Sequence, residues 1–393
     1  MSDRARNTSM LPLALLGIGL LGVIATWFSG GAMRFAANWI SWYVIGLSIF
    51  LGSIFIIALE HLVGARWSIP MRRVPERITT LIGPLFLIGL VASVLGAYHF
   101  YEWGTPAFME MAAADHHLHA KHLWFSKPFF FGRLLFSFLV WAIAYKVFVL
   151  GSFAQDSSRD PRQNLGARKF APPFMFLFAI TLSLSAFDFL MSVEPRWYST
   201  IFGVYFFSVC VLTGIATITL LVLRQLKLGR LPQVRPDHLY SLGGLMFAFT
   251  VFWTYISFSQ FMLYWYGNLP FEIFWYLDRL SGGWYWLTLG LSVARFVVPF
   301  VALLSRAAKT DVKRLAWVSK WIIGTTMIDI YWVIFPSLGR MSGTSHMVFG
   351  WQEISFALFF LSLGTVLLRR SMERGADMPV GDANLKAGLE FHL

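Results

Sequence analysis

Ten runs of apolar residues, each 18 to 26 residues long and separated by short polar linkers, leave this chain few ways to fold. They fall at 11–28, 40–63, 81–99, 129–153, 172–191, 199–224, 240–264, 284–304, 316–336 and 351–368. At about 1.5 Å per residue each helix would cross, or nearly cross, a hydrocarbon layer of about 30 Å. The reading is all-α: a polytopic membrane protein of ten transmembrane helices. A cleaved signal peptide competes for the first run, but such a segment has a shorter apolar core leading to a small-residue cleavage site, so a retained helix is expected.

Charge then sets the orientation. Of 32 Lys and Arg, 22 lie in the N-terminus, the C-terminal tail and the linkers after helices 2, 4, 6 and 8, counting Arg224 at the very end of helix 6. The opposite linkers hold six: Arg34, Lys121, Lys127, Arg196, Arg279 and Arg340. Positive residues accumulate on the cytoplasmic side, which places both termini there. The formal charge of +12 needs no nucleic-acid partner to explain it. A single cysteine, Cys210, excludes an internal disulfide, a thiolate-held iron-sulfur cluster and a Cys-x-x-Cys-His haem attachment, so any redox centre belongs to another chain.

Two outer linkers are long. Tyr101 to Pro128 holds His116, His117, His119 and His122, which resemble metal ligands by type but lack a helix-spaced carboxylate scaffold, so no metal site is assigned. His61 and His99 sit near opposite faces and cannot share one haem. The aromatic stretch from Asn268 to Gly283 suits the interface, either as an anchoring belt or as a docking face.

Acids inside apolar runs carry the functional signal. A carboxylate at such depth costs roughly 2.5 to 3.5 kcal/mol on insertion scales, so it should face protein or water and have a partner. Counting from the helix ends puts Arg133 and Asp188 at one level, and Arg295 within reach of Asp329. Glu60, His61 and Lys146 form a candidate inner mouth, and Asp188, Glu194 and His99 an outer one. Between them stand Ser93, Ser137, Tyr145, Thr181, Ser183 and Ser185, the composition of a water-assisted proton path or, equally, of polar helix-joining.

A weak internal repeat is also visible. Asp188 to Pro195 and Asp329 to Pro336 close helices 5 and 9 with the same spacing at the same outer boundary. The chain 1–393 thus reads as one membrane domain: first helix and outer loop (11–39), a four-helix bundle (40–198), a second four-helix bundle (199–350), and a last helix with its tail (351–393).

The segment Ala186-Phe-Asp-Phe-Leu-Met-Ser-Val-Glu-Pro-Arg-Trp-Tyr-Ser-Thr200, with Phe252-Trp-Thr-Tyr-Ile-Ser-Phe-Ser-Gln-Phe-Met-Leu-Tyr-Trp-Tyr-Gly-Asn-Leu-Pro270, resembles the F subunit of alternative complex III, a bacterial quinol:cytochrome c oxidoreductase. That subunit belongs to the NrfD-like, polysulfide-reductase-type membrane family. The resemblance implies a cofactor-free subunit of a bacterial inner membrane, in electron transport and not catalytic alone. It would sit beside a sister NrfD-like subunit that oxidises quinol, with periplasmic iron-sulfur and haem c subunits above, the quinone pool within reach, and a role in proton translocation. The matched positions are Asp188, Glu194, Arg196, Tyr255, Ser259 and Gln260; Phe271 stands where the family carries an acid after Asn-Leu-Pro, and Glu272 follows. An independent ten-helix secondary transporter is the alternative that repeats and buried charges would also serve.

Overall fold

A computed structural model describes residues 3–114, 118, 121–343 and 346–392, so the expectations on His116, His117 and His119 lie outside the described residues. Among the described residues there are ten helices long and apolar enough to cross a membrane and no β-strand. They are α1 (Met10–Ser29), α2 (Gly31–Val63), α3 (Arg73–Phe100), α4 (Lys127–Ser158), α5 (Arg162–Val193), α6 (Phe202–Lys227), α7 (Pro236–Gly267), α8 (Gly282–Ala302), α9 (Val312–Met341) and α10 (Trp351–Met372). The fold class is the one the apolar runs predict.

Helices α2 and α6 form the centre. Their backbones touch at Gly52 and Gly214: a Cβ added at Gly52 would lie 2.1 Å from the Cys210 carbonyl oxygen. Lipid tails supply no hydrophobic drive for helix pairing, so close backbone approach between small residues replaces it. Around this centre α2 packs on α3 and α5, and α6 on α7 and α9, while α4 leans on α5 and α8 on α9. Helices α1 and α10 pair on the flank, where Gly19 and Gly22 face Phe359 and Ser355.

Three expectations change. The first outer loop, read as 29–39, is instead a tight turn at Gly30 and Gly31, the latter at φ +73°, a left-handed geometry that favours glycine. Helix α2 begins there because Arg34 and Asn38 both bind Glu353 at the start of α10, giving the polar stretch a partner instead of solvent. At 33 residues it is roughly 50 Å long and stands out of the hydrocarbon layer. Secondly, α9 runs through Pro336 to Met341, whereas regular α-helix in α5 stops at Phe189. Asp188 therefore lies at its helix end and Asp329 about three turns inside, so the two boundaries are not alike.

Thirdly, the basic face is more than solvated linker. Arg72 and Arg73 are buried, and the C-terminal tail folds back over them. Arg77 donates to the carbonyls of Ser371 and Ala376 at 2.8 and 3.1 Å, and Asp382 accepts from Arg72 and Asn164 at 2.5 and 3.0 Å. At the other end the helix Pro270–Arg279 buries Trp275 and Arg279 against α9 and the segment that follows α5, with Trp275 stacked 4.6 Å from Trp197, while Phe271 and Leu277 stay exposed. Its sequence suits an interface, but one face is core.

Candidate functional site

Four clusters of charge are built by side chains distant in sequence. In the first, Arg133 of α4 meets Asp188 of α5: Nη2 lies 2.6 Å from Oδ1, and Nε lies 3.1 and 3.0 Å from the two carboxylate oxygens. Both are buried, and the guanidinium sits 3.9 Å over Trp124 and 4.6 Å over Phe129. Because α5 ends one residue later, its orphan carbonyls need partners. Ser192 donates to the Asp188 carbonyl at 2.6 Å and Tyr101 to that of Phe189 at 3.2 Å. The pair expected from depth is present.

The second cluster lies deeper, between α6, α8 and α9. Arg295 Nη2 stands 3.4 Å from Asp329 Oδ2, as the depth arithmetic expects, and Tyr205 donates to Oδ1 at 2.6 Å. Arg295 Nη1 donates to Thr326 Oγ1 at 3.0 Å, and Thr326 shares a 2.9 Å hydrogen bond with Thr213. The result is a continuous polar run through an apolar interior, from Tyr205 to Thr213. Arg295 lies in a π-helical turn, Val293–Val297, a widening of the helix frequent at functional sites. Turns of the same kind occur at Gly96–Phe100 in α3 and Tyr145–Leu150 in α4.

A third cluster caps the second on the face away from the basic linkers. Glu194 pairs with Arg340, which also lies 3.5 Å from Asp278. Burial raises the Glu194 carboxyl above its ordinary value, with the Arg340 guanidinium opposing. Arg279, wholly buried, donates to the carbonyls of Trp275 and Val333 at 2.7 and 2.6 Å; burial lowers it to about 9, against the pull of Glu194. Asp329, Val333 and Ser337 lie on one stripe of α9, so the Ser337 end stands about 12 Å above the acid. Glu194 thus belongs with the second half of the chain, not with Asp188 as the outer mouth requires.

The fourth cluster is at the basic face. Glu60 accepts from Arg72 and, at 2.8 Å, from Ser68, and Arg72 bridges on to Asp382. Burial alone would depress Arg72, but Glu60 and Asp382 hold it above its usual value. In Asp382 burial acts upward, and Arg72 outweighs it, leaving the carboxyl low. His61 is buried beside Glu60 and stacks on Phe148 at 5.5 Å.

Other expected residues are elsewhere. Lys146 and His99 are exposed on their helices, His99 against Trp27, and neither reaches the acids proposed beside it. Tyr255 is 64% exposed and faces the surroundings of α7. The hydroxyl chain does not form either: Ser93, Thr181, Ser183 and Ser185 donate to carbonyls of their own helices at 2.8 to 2.9 Å. Such back-bonding satisfies a hydroxyl within its own turn; Thr326 makes it as well, to the Ile322 carbonyl at 2.9 Å, and differs in also meeting Arg295 and Thr213 on two other helices. Sequence reasoning missed Tyr205, Thr213, Thr326, Arg72, Asp278, Arg340 and Asp382. Of these only Arg340 carried a signal, as one of few basic residues on its side; the rest acquire meaning from a partner on another helix. Among the described residues no three His, Cys, Asp or Glu side chains gather as a metal-ligand set.

Compared with models of protein families and with curated proteins, the chain matches none.

Proposed function

We propose that this chain is the proton-handling membrane subunit of a respiratory quinol:acceptor oxidoreductase of the alternative complex III type. It binds no redox centre itself, and works beside a quinol-oxidising sister subunit and iron-sulfur and haem c subunits on the periplasmic side. Both termini are cytoplasmic in this reading, and the aromatic face around Phe271 and Leu277 is where an outer partner docks. The family is argued from the segments Ala186–Thr200 and Phe252–Pro270. The proton role rests on one observation: the run of Tyr205, Asp329, Arg295, Thr326 and Thr213, buried at helix depth, with Glu194 beside the Ser337 end of the same α9 stripe, about 12 Å above Asp329.

The chemistry is that of a carboxylate poised between two states. Asp329 is an anion held by Arg295 and by the Tyr205 hydroxyl, and its Oδ2 carries no hydrogen bond. A proton arriving there neutralises the acid and frees Arg295, which retains Thr326 as a partner. Release toward Glu194 restores the pair. Asp188, matched by Arg133 on three hydrogen bonds, is the tighter couple and joins α4 to α5.

The test is quinol oxidation measured together with acidification, by the purified complex in sealed vesicles. Asp329→Asn should assemble with every subunit and haem, continue to oxidise quinol, and lose acidification by about tenfold or more. Glu60→Gln and Asp188→Asn are compared alongside. Normal acidification by a fully assembled Asp329→Asn complex would reject the proton role. A colourless protein that purifies alone would reject the complex and leave the transporter.

A further inference from the structure

We infer that the chain holds a binding site for a neutral, hydroxyl-headed lipid in the cleft between α7 and α8, a site independent of whether the chain serves in a respiratory complex. The two helices pack most closely near the basic face, where α7 touches Val293–Val297 and Val298–Ala302. Toward the other end they separate around a cavity of about 340 Å³, within the range of small-molecule sites. Its outer rim is made by Phe258, Tyr285 and Leu289, all exposed on the flank that hydrocarbon would cover. The entrance is therefore lateral, from the bilayer.

The inner end has different chemistry. Ser257 Oγ, Gln260 Oε1 and Asp329 Oδ2 are buried, line this cavity and have no hydrogen-bond partner within the protein. An unmet polar group in such surroundings is costly, and water can meet it only where several polar partners converge. A water or two could serve these three atoms but would leave the apolar remainder, walled by Phe261, Trp275 and Leu291, empty. One molecule answers both ends: a hydrocarbon tail in the lateral opening and a small polar head at Gln260.

Charge and donor count narrow the head. Asp329 is already matched by Arg295, so the cavity presents no unmatched charge and a charged head would lose its hydration without compensation. Gln260 Oε1 and Asp329 Oδ2 can only accept, and Trp253 Nε1–H, buried, unpartnered and lining the same cavity, can only donate, so the head must both donate and accept, which a hydroxyl does while remaining neutral. A quinol and a diacylglycerol both carry this chemistry.

The full chain in phosphatidylcholine nanodiscs, titrated with decylubiquinol and with dioctanoylglycerol, tests the site, with binding read by native mass spectrometry. We expect saturable one-to-one binding of at least one probe, and whichever binds names the source. Decylubiquinone, which offers acceptors only, should bind at least tenfold more weakly than the quinol. Gln260→Leu, which removes the acceptor, and Ser257→Phe, which fills the cavity, should each weaken the bound probe at least tenfold. The two act by different means, so one folding defect cannot imitate both. Absence of saturable binding by either probe, an affinity unchanged in either folded variant, or a quinone binding as tightly as its quinol would overturn the inference.

Discussion

Removing both members of the Arg133 and Asp188 pair should cost clearly less than the sum of the two single losses. Each is buried, and the carboxylate receives three hydrogen bonds from the guanidinium. Breaking a buried pair leaves an uncompensated charge at about 3 to 5 kcal/mol. The two single variants should also differ. In Asp188→Asn the stranded guanidinium keeps Trp124 and Phe129 at 3.9 and 4.6 Å, a cation–π contribution of about 1 to 2 kcal/mol when desolvated. In Arg133→Gln the stranded carboxylate has no such support and the cation–π contacts are lost as well, so this variant should be the worse by about that amount. The double variant carries no stranded charge and should fall short of the sum by about 2 kcal/mol or more. SDS titration of the purified protein in mixed micelles, followed by tryptophan fluorescence, gives the four stabilities. A double variant whose loss equals the sum to within about 0.5 kcal/mol would show the residues are not coupled.

Further expectations can be checked one by one. Reporter fusions after Arg162 and Arg235 should read cytoplasmic and one within 112–119 periplasmic, since the basic linkers share one side; a cytoplasmic reading for the last would overturn the orientation. Gly52→Val should prevent α2 from seating on α6, because its Cβ would meet the Cys210 carbonyl, while Gly17→Val, with nothing within 4 Å, should be tolerated; equal yields of folded protein on size-exclusion chromatography would contradict the central packing. Glu194 has a raised pKa from burial, so its folded form binds the proton more tightly than the unfolded chain does; the stability it contributes is full below the ordinary carboxylate range and is lost as pH rises through the raised value. Glu194→Gln should flatten that segment of a pH–stability curve, and an unaltered curve would assign the slope to another group. Asp382 is held low by Arg72, so its contribution is full above the ordinary aspartate range and is lost as pH falls through its lowered value. Asp382→Asn should make the tail exchange amide hydrogens faster at neutral pH, and parent-like protection would refute the clamp.

The sequence by itself determines the class of fold and the number of long apolar helices, because lipid forces each run of apolar residues to satisfy its own backbone hydrogen bonds as a helix. It also determines that Asp188 and Asp329 need cations, and depth counting finds Arg133 and Arg295 because the rise per residue is the same in every helix. Depth, however, says nothing about which face of a helix a residue occupies or which helix stands opposite. That is why Lys146, His99 and Tyr255 share a level with the acids yet point away from them, and why Glu194 turns to Arg340 in the second half of the chain. Helix ends were equally illegible wherever a distant partner extends them, as Glu353 does for α2. The network of Tyr205, Asp329, Arg295, Thr326 and Thr213, and the Arg72 bridge from Glu60 to Asp382, exist only once α6, α8, α9 and the tail are packed together. A polar residue's partner is a tertiary fact, since hydrogen bonds act over about 3 Å and these residues stand as many as 310 positions apart.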